Sequence, residues 1–227
     1  MWGPESTEAL LLSLRVSAVT TAIIFVVGTP TALWLARRKG ITSYAVESAL
    51  MLPLVIPPVV TGYFLLVVLS PATWFGRMLE SVGLRLPLDW KGAVVAAGAL
   101  SLPLFLAVAR AAFGRCDRGL EEAARTLNAG PVRAFFTITF PVALPGLAAA
   151  SALCFARAFG EFGATMMLAG NIPGRTRTVP QAIFTHVESG RGEAALMLAI
   201  VSVVVGVAAF VAARSFAGGT SAVGGKA

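Results

Sequence analysis

One histidine, three lysines and two cysteines are the chain's whole supply of the side chains that most often serve as bases, amine nucleophiles or soft metal ligands. Lys39, Lys91 and Lys226 are followed by Gly, Gly and Ala. The G-x-x-x-x-G-K-[ST] cradle that holds nucleotide phosphates is therefore absent, and the chain is expected not to hydrolyse ATP. His186 has no second histidine or nearby cysteine with which to hold zinc, and a Ser-His-Asp set would have to be assembled across most of the chain from this one ring. His186 is read as a polar loop residue, no catalytic or metal site is expected, and no cofactor is expected to be bound by this chain. Cys116 and Cys154 read as two small buried hydrophobes rather than a disulfide.

Two charged clusters stand out against a background in which only 13% of residues are charged. The first is Arg157 and Glu161, four apart. It is open to two readings, an ion pair within one helix or a gate or anion contact, since an arginine inside a membrane segment is a functional candidate. The second is "EEAARTLNAGPVRAFFTITFP", residues 121–141. Asp117 suits the start of a short helix, and "GLEEAARTL" is made of good helix formers. Asn128 suits a left-handed helix end, and Pro131 suits the first position of a second helix. Helix, sharp turn, helix is more than a connector needs, yet a connector that satisfies its own polar groups is the competing reading.

The elements that must position these clusters are membrane spans. Hydrophobic residues make up 57% of the chain, and the mean hydropathy is +0.82. Five uncharged runs lie at 16–36, 48–76, 92–109, 134–156 and 194–213, measured against the roughly 20 residues a helix needs to cross the hydrocarbon. A shorter stretch, 162–174, contains Asn171 and Pro173 and suits a re-entrant or interfacial segment. Seven prolines (Pro30, Pro53, Pro57, Pro58, Pro103, Pro141, Pro145) fall within spans and are expected to bend or break them. The fold class is an all-α integral membrane protein of about five transmembrane helices. With the N-terminus outside, ten of the Lys and Arg residues lie inside, the sharpest group being "ARRKG" at 36–40. The net charge of +7 is thus an orientation signal rather than a nucleic-acid footprint. The domains follow: an outer segment 1–15, one transmembrane domain 16–213 carrying a cytoplasmic loop at 114–141, and a flexible inner tail 214–227. The lipid bilayer of the cytoplasmic membrane is the first partner.

Glu122-Ala123-Ala124, a turn residue six positions after the glutamate, and then Ile138 and Pro141 resemble the EAA loop of ABC importer permeases. The glycine usual in that loop falls at Asn128, with Gly130 two residues later. Together with "LPLVIPPVVTGYFLLV" and "FARAFGEFGATMMLAGNIPGRTRTVPQAIFTHVESG", this loop makes the chain similar to the molybdate permeases from about Leu10 to Ala213. "GEFGAT" and "NIPG-TRT-P" discriminate best. The resemblance implies an ABC importer permease fold and a homodimer. It also implies separate cytoplasmic ATPase subunits that use ATP and Mg, and an extracytoplasmic molybdate-binding protein. Glu121, Glu122, Ala123, Ala124, Asn128, Ala129, Gly130 and Pro131 would form the ATPase-coupling loop. Arg157, Gly160, Glu161, Phe162, Gly163, Pro57 and Pro58 are candidates for the pathway or its gate. Sulfate, thiosulfate or tungstate permeases, and a membrane scaffold with no transport role, are the alternatives.

Overall fold

The computed structural model describes residues 3–38, 40–126 and 128–218; Lys39 of the basic loop and the end of the tail, including Lys226, lie outside them. Helices make up nearly all of the described chain, and no strand occurs among those residues. The first, α1 (Pro4–Arg37), begins twelve residues before the uncharged run at Val16, so the outer segment 1–15 is mostly helix rather than a separate arm. Pro4 sits in its first turn beside Glu5, and Ser6, Ala9 and Ser13 are buried. A helix needs no unbroken apolar run where its polar positions find protein partners. The Ser13 hydroxyl accepts the Val179 backbone N–H at 2.7 Å, and the Thr20 hydroxyl donates to the Val94 carbonyl at 3.2 Å.

The second apolar run forms two helices, α2 (Ile41–Val55) and α3 (Pro58–Leu69), whose axes bend by 114°. The break is local chemistry. Ile56 and Pro57 each precede a proline, which disfavours the helical region, and both are extended at ψ 136°. The other prolines do not interrupt their helices. Pro30, Pro53, Pro103 and Pro145 lie inside helices that continue through them, because one lost hydrogen bond can be absorbed where neighbouring helices hold the backbone.

Beyond a short amphipathic helix, α4 (Trp74–Ser81), comes α5 (Trp90–Gly114), the most enclosed of the long apolar helices. Its Phe105, Leu106 and Ala109 meet Ile24 and Ala32 of α1. The short α6 (Arg118–Thr126) and α7 (Pro131–Ala134) lead through a π-turn at Phe135–Thr139 into α8 (Phe140–Phe159), and α7 through α8 form one continuous helix. The Phe140 N–H bonds the Phe135 carbonyl five residues back, which widens the helix just before Pro141, whose ring would crowd the carbonyl of Thr137. Leu147, Ala150 and Cys154 of α8 complete the core around α5. Small residues such as Ala109, Ala112 and Ala150 let these helices approach closely.

After α8 come α9 (Gly163–Leu168) and α10 (Val179–Glu188), so the 162–174 stretch is a short helix and turns rather than a span. The last helix, α11 (Gly192–Gly218), packs on α8 and α10 and runs past Ala213, so the first residues assigned to the tail are helical. Among the described residues four helices are long and apolar enough to cross a membrane, five spans if the bent α2–α3 pair counts as one.

Candidate functional site

The charged passage folds as its local grammar requires. Asp117 accepts the Gly119 N–H at 2.8 Å and so caps α6. Asn128 is left-handed, φ 61°, and the Ala129 N–H reaches back to the Ala124 carbonyl at 3.0 Å, closing the helix end. Pro131 occupies the first turn of α7, and Gly130 precedes it in extended geometry. Asparagine therefore adopts a left-handed conformation that glycine would take at no steric cost.

The adjacent glutamates point to different surroundings. Glu122 and Ala123 are exposed on α6, while Ala124 and Ala129 are half-buried. Glu121 turns inward, its side chain only 14% exposed. One oxygen, Oε1, accepts from the Arg37 guanidinium at the end of α1 and from the Thr139 hydroxyl in the π-turn. Arg37 also reaches Thr139 at 3.5 Å. These groups line a cavity of about 560 Å³ with Phe113 and Cys116. Burial, and then the Glu121 carboxylate, push the Cys116 thiol above its ordinary value. The cysteines are free, Cys154 buried and Cys116 half-buried. Nearby, Arg110 of α5 pairs with Glu47 of α2. Sequence reasoning missed Arg37 and Thr139 as partners of Glu121, because separations of 84 and 18 residues carry no periodic signal.

The pathway candidates converge at the other end of α8. Arg157 pairs with Glu161 at 2.7 Å, but α8 ends at Phe159, so the pair bridges the helix end and is not intrahelical. Glu161 is 3% exposed. Its second oxygen accepts the Ala164 N–H at 2.9 Å and thereby caps α9, giving the carboxylate a structural duty. Gly163 packs against Pro58 and Val59, where a Cβ would come within 3.0 Å of the Val59 side chain. Gly62 lies closer still to the Ala164 backbone, at 2.6 Å from an added Cβ. The broken helix and the "GEFGAT" segment are thus locked together through glycines. Phe162 packs its ring 5.4 Å from that of Phe184, and Gly160 ends α8.

The "NIPG-TRT-P" residues build a framework. Asn171 donates to the Thr185 hydroxyl at 3.0 Å and accepts from Arg177 at 2.8 Å. Gln181, fully enclosed, donates to the Gly170 carbonyl and accepts the Thr178 N–H, both at 2.8 Å. His186 is a correction: it lies on α10, 3% exposed, with neither ring nitrogen hydrogen-bonded, rather than on a polar loop. Burial, and then Arg191, hold its pKa below the ordinary value. The reason is tertiary: α10 is pressed between the start of α1 and the start of α11.

A bundle of long apolar helices with a broken span, a compact framework at one end and a capped surface helix at the other defines a multi-span membrane protein. Residues 28–221 match the family described as "Binding-protein-dependent transport system inner membrane component", and the chain belongs to it. It is 43% identical over 198 residues to the molybdenum transport system permease protein ModB of Escherichia coli K12, covering 86% of each. It is 43% identical over 182 residues to ModB of Azotobacter vinelandii, covering 80% of each. The putative molybdenum transport system permease protein YvgM of Bacillus subtilis is 36% identical over 203 residues, 88% of this chain and 89% of that one. Among solved structures, the inward-facing MetNI methionine ABC transporter superposes with TM-score 0.67 at 19% identity, over 95% of this chain and 99% of that one. A bacterial alginate ABC importer gives 0.73 at 18%, over 94% and 80%. These structures carry the ABC importer permease fold. The chain is a multi-pass protein of the inner membrane and a transport subunit.

Proposed function

We propose that this chain is the permease subunit of an ATP-driven molybdate importer. It works as a homodimer with cytoplasmic ABC ATPase subunits and an extracytoplasmic molybdate-binding protein. Its relatives named for molybdenum transport support the substrate. A chloroplast sulfate permease of Chlamydomonas reinhardtii, 34% identical over 197 residues, supports sulfate as the second reading. ATP and Mg act on the partner, and no cofactor is assigned to this chain. The chain enters the membrane from outside, which puts α6, its turn and the end of α11 in the cytoplasm. Residues 114–141 are then the coupling segment of a single permease domain.

One observation carries the coupling role: α6 ends in a left-handed Asn128 and presents Glu122 and Ala123 outward, beyond the spans. A helix terminated so sharply is a projecting knob, and its exposed Glu122 and Ala123 offer a docking surface. Arg157, with the Pro57–Pro58 break and the 160–163 segment, belongs to the anion pathway or its gate.

The test is co-purification of the ATPase, followed by molybdate uptake into vesicles supplied with ATP and the binding protein. Asn128→Val, strained by roughly 1–2 kcal/mol in the left-handed region, and Glu122→Lys both lose ATPase docking and uptake while inserting normally. Asn128→Gly retains both. Normal docking and uptake in the first two variants would reduce the segment to a connector.

A further inference from the structure

Glu121 and Glu122 adjoin on α6 and share a charge, yet only Glu122 faces outward. We infer that Glu121 is a positioning residue, a strut that fixes the angle of α6 to α1 and to the π-turn at the base of α8, and not a contact with the ATPase. The inference rests on the coupling role proposed for α6.

The geometry is specific. A short helix with a bend before Asp117 and a turn at Asn128 has a flexible joint at each end. Its packing is chiefly on α7 and the π-turn, at the foot of the continuous α7–α8 helix. Such a helix pivots under load unless a third point holds it. Glu121 Oε1 supplies that point by accepting simultaneously from Arg37, the last residue of α1, and from Thr139, 1% exposed within the π-turn. The strut therefore reaches two of the long helices at once. Arg37 delivers motion to α1, whose far end packs on α10. Thr139 delivers it to the one place where the α7–α8 helix is already widened, and so more readily rewound than a regular α-turn. Charge-assisted hydrogen bonds are the strong kind, and here they are partly shielded.

Coupling is measured in proteoliposomes holding the whole transporter, with ATPase subunits, molybdate-binding protein and molybdate as the transported probe. Glu121→Ala keeps the wild-type ATPase ratio on co-purification and hydrolyses ATP. Molybdate imported per ATP falls by roughly tenfold or more, the equilibrium worth of a lost charge-assisted hydrogen bond. Glu121→Gln, which still accepts from Thr139, falls less. The exchange Arg37→Glu with Glu121→Arg restores most of the coupling that either reversal alone destroys, since the Thr139 hydroxyl can face either partner. If Glu121→Ala fails to insert, Glu121→Gln and the exchanged pair decide the matter by the same ratio. Loss of the ATPase in Glu121→Ala, as in Glu122→Lys, would make Glu121 a docking contact and overturn the strut. So would an unchanged ratio of import to hydrolysis, or an exchange that restores nothing. Should Glu122→Lys also dock and transport normally, the coupling role of α6 itself fails, which is a separate result.

Discussion

At the end of the bundle that carries α6, the Glu121 carboxylate ties a short projecting helix to Arg37 of α1 and Thr139 of the π-turn. At the other end, between α8 and α11, Asn171, Thr176, Arg177, Gln181 and Thr185 bond one another or the backbone, and Glu161 joins two helices. The first region spends few internal contacts and keeps polar side chains outward. The second leaves few of its polar groups for anything outside itself. The coupling role proposed for α6 requires it to move as a unit, so a few strong ties serve it. A segment that backs a broken span has to stay put, because non-helical backbone at membrane depth survives only when its polar groups are satisfied by protein. The contrast predicts that substitutions at the outer framework act through stability, and those on α6 through coupling.

The largest effect is expected where the framework is most enclosed. Gln181→Leu strips partners from the Gly170 carbonyl and the Thr178 N–H, at about 3 kcal/mol for two stranded backbone groups. Thermal unfolding of the purified protein should show it directly. Glu122→Ala, on the exposed face of α6, should stay within about 0.5 kcal/mol of wild type. Equal losses in the two variants would erase the distinction between the regions.

A smaller effect separates structure from transport at Arg157 and Glu161. Reversing both charges cannot restore the pair's full role, because an arginine at 161 has no acceptor for the Ala164 N–H. Glu161→Gln is the sharper probe: it keeps an oxygen for the cap and removes only the ion pair. It should fold and transport, at a cost of about 1 kcal/mol given that Arg157 is partly solvated. Arg157→Gln leaves the buried Glu161 carboxylate without its cation and should lose about 2 kcal/mol. Its molybdate uptake per inserted protein should also fall further than that of Glu161→Gln. Equal uptake in the two variants would remove Arg157 from the pathway and leave the framework complete without it.

How much of this was legible in sequence follows the range of the forces. The ends of α6, the Asn128 turn, the Asp117 cap and the break at Pro57–Pro58 depend on neighbours within a few residues, and they are readable. The uncharged runs located the spans for the same reason, since hydrocarbon acts on every residue of a run. Three things were not readable. The start of α1 at Pro4 depends on Ser13 meeting Val179, 166 residues away. The inward turn of Glu121 depends on Arg37 and Thr139. Glu161 looked like an i,i+4 helical partner because sequence spacing does not reveal that α8 stops at Phe159 and that the carboxylate caps the next helix.

The smallest effect concerns the framework's weak point. His186 is buried among charged groups from every element around it: Glu5 at the start of α1, Arg177 before α10, and Arg191 and Glu193 at the start of α11. Neither nitrogen has a hydrogen-bond partner. Burial and the two arginines favour the neutral ring over what Glu5 returns, so its pKa in the fold lies below the ordinary 6.5. The unfolded chain then binds the extra proton more readily than the folded one as pH falls through that value, and the fold loses stability on acidification, not on alkalinisation. Unfolding midpoints of the purified protein should fall as the pH drops below about 6.5, more steeply than those of His186→Leu, which buries an apolar side chain in the same place and has nothing to titrate. At pH 8 the variant should match wild type or exceed it. A wild-type slope that persists unchanged in His186→Leu would assign the acid sensitivity to the carboxylates and leave the outer framework with no weak point at this histidine.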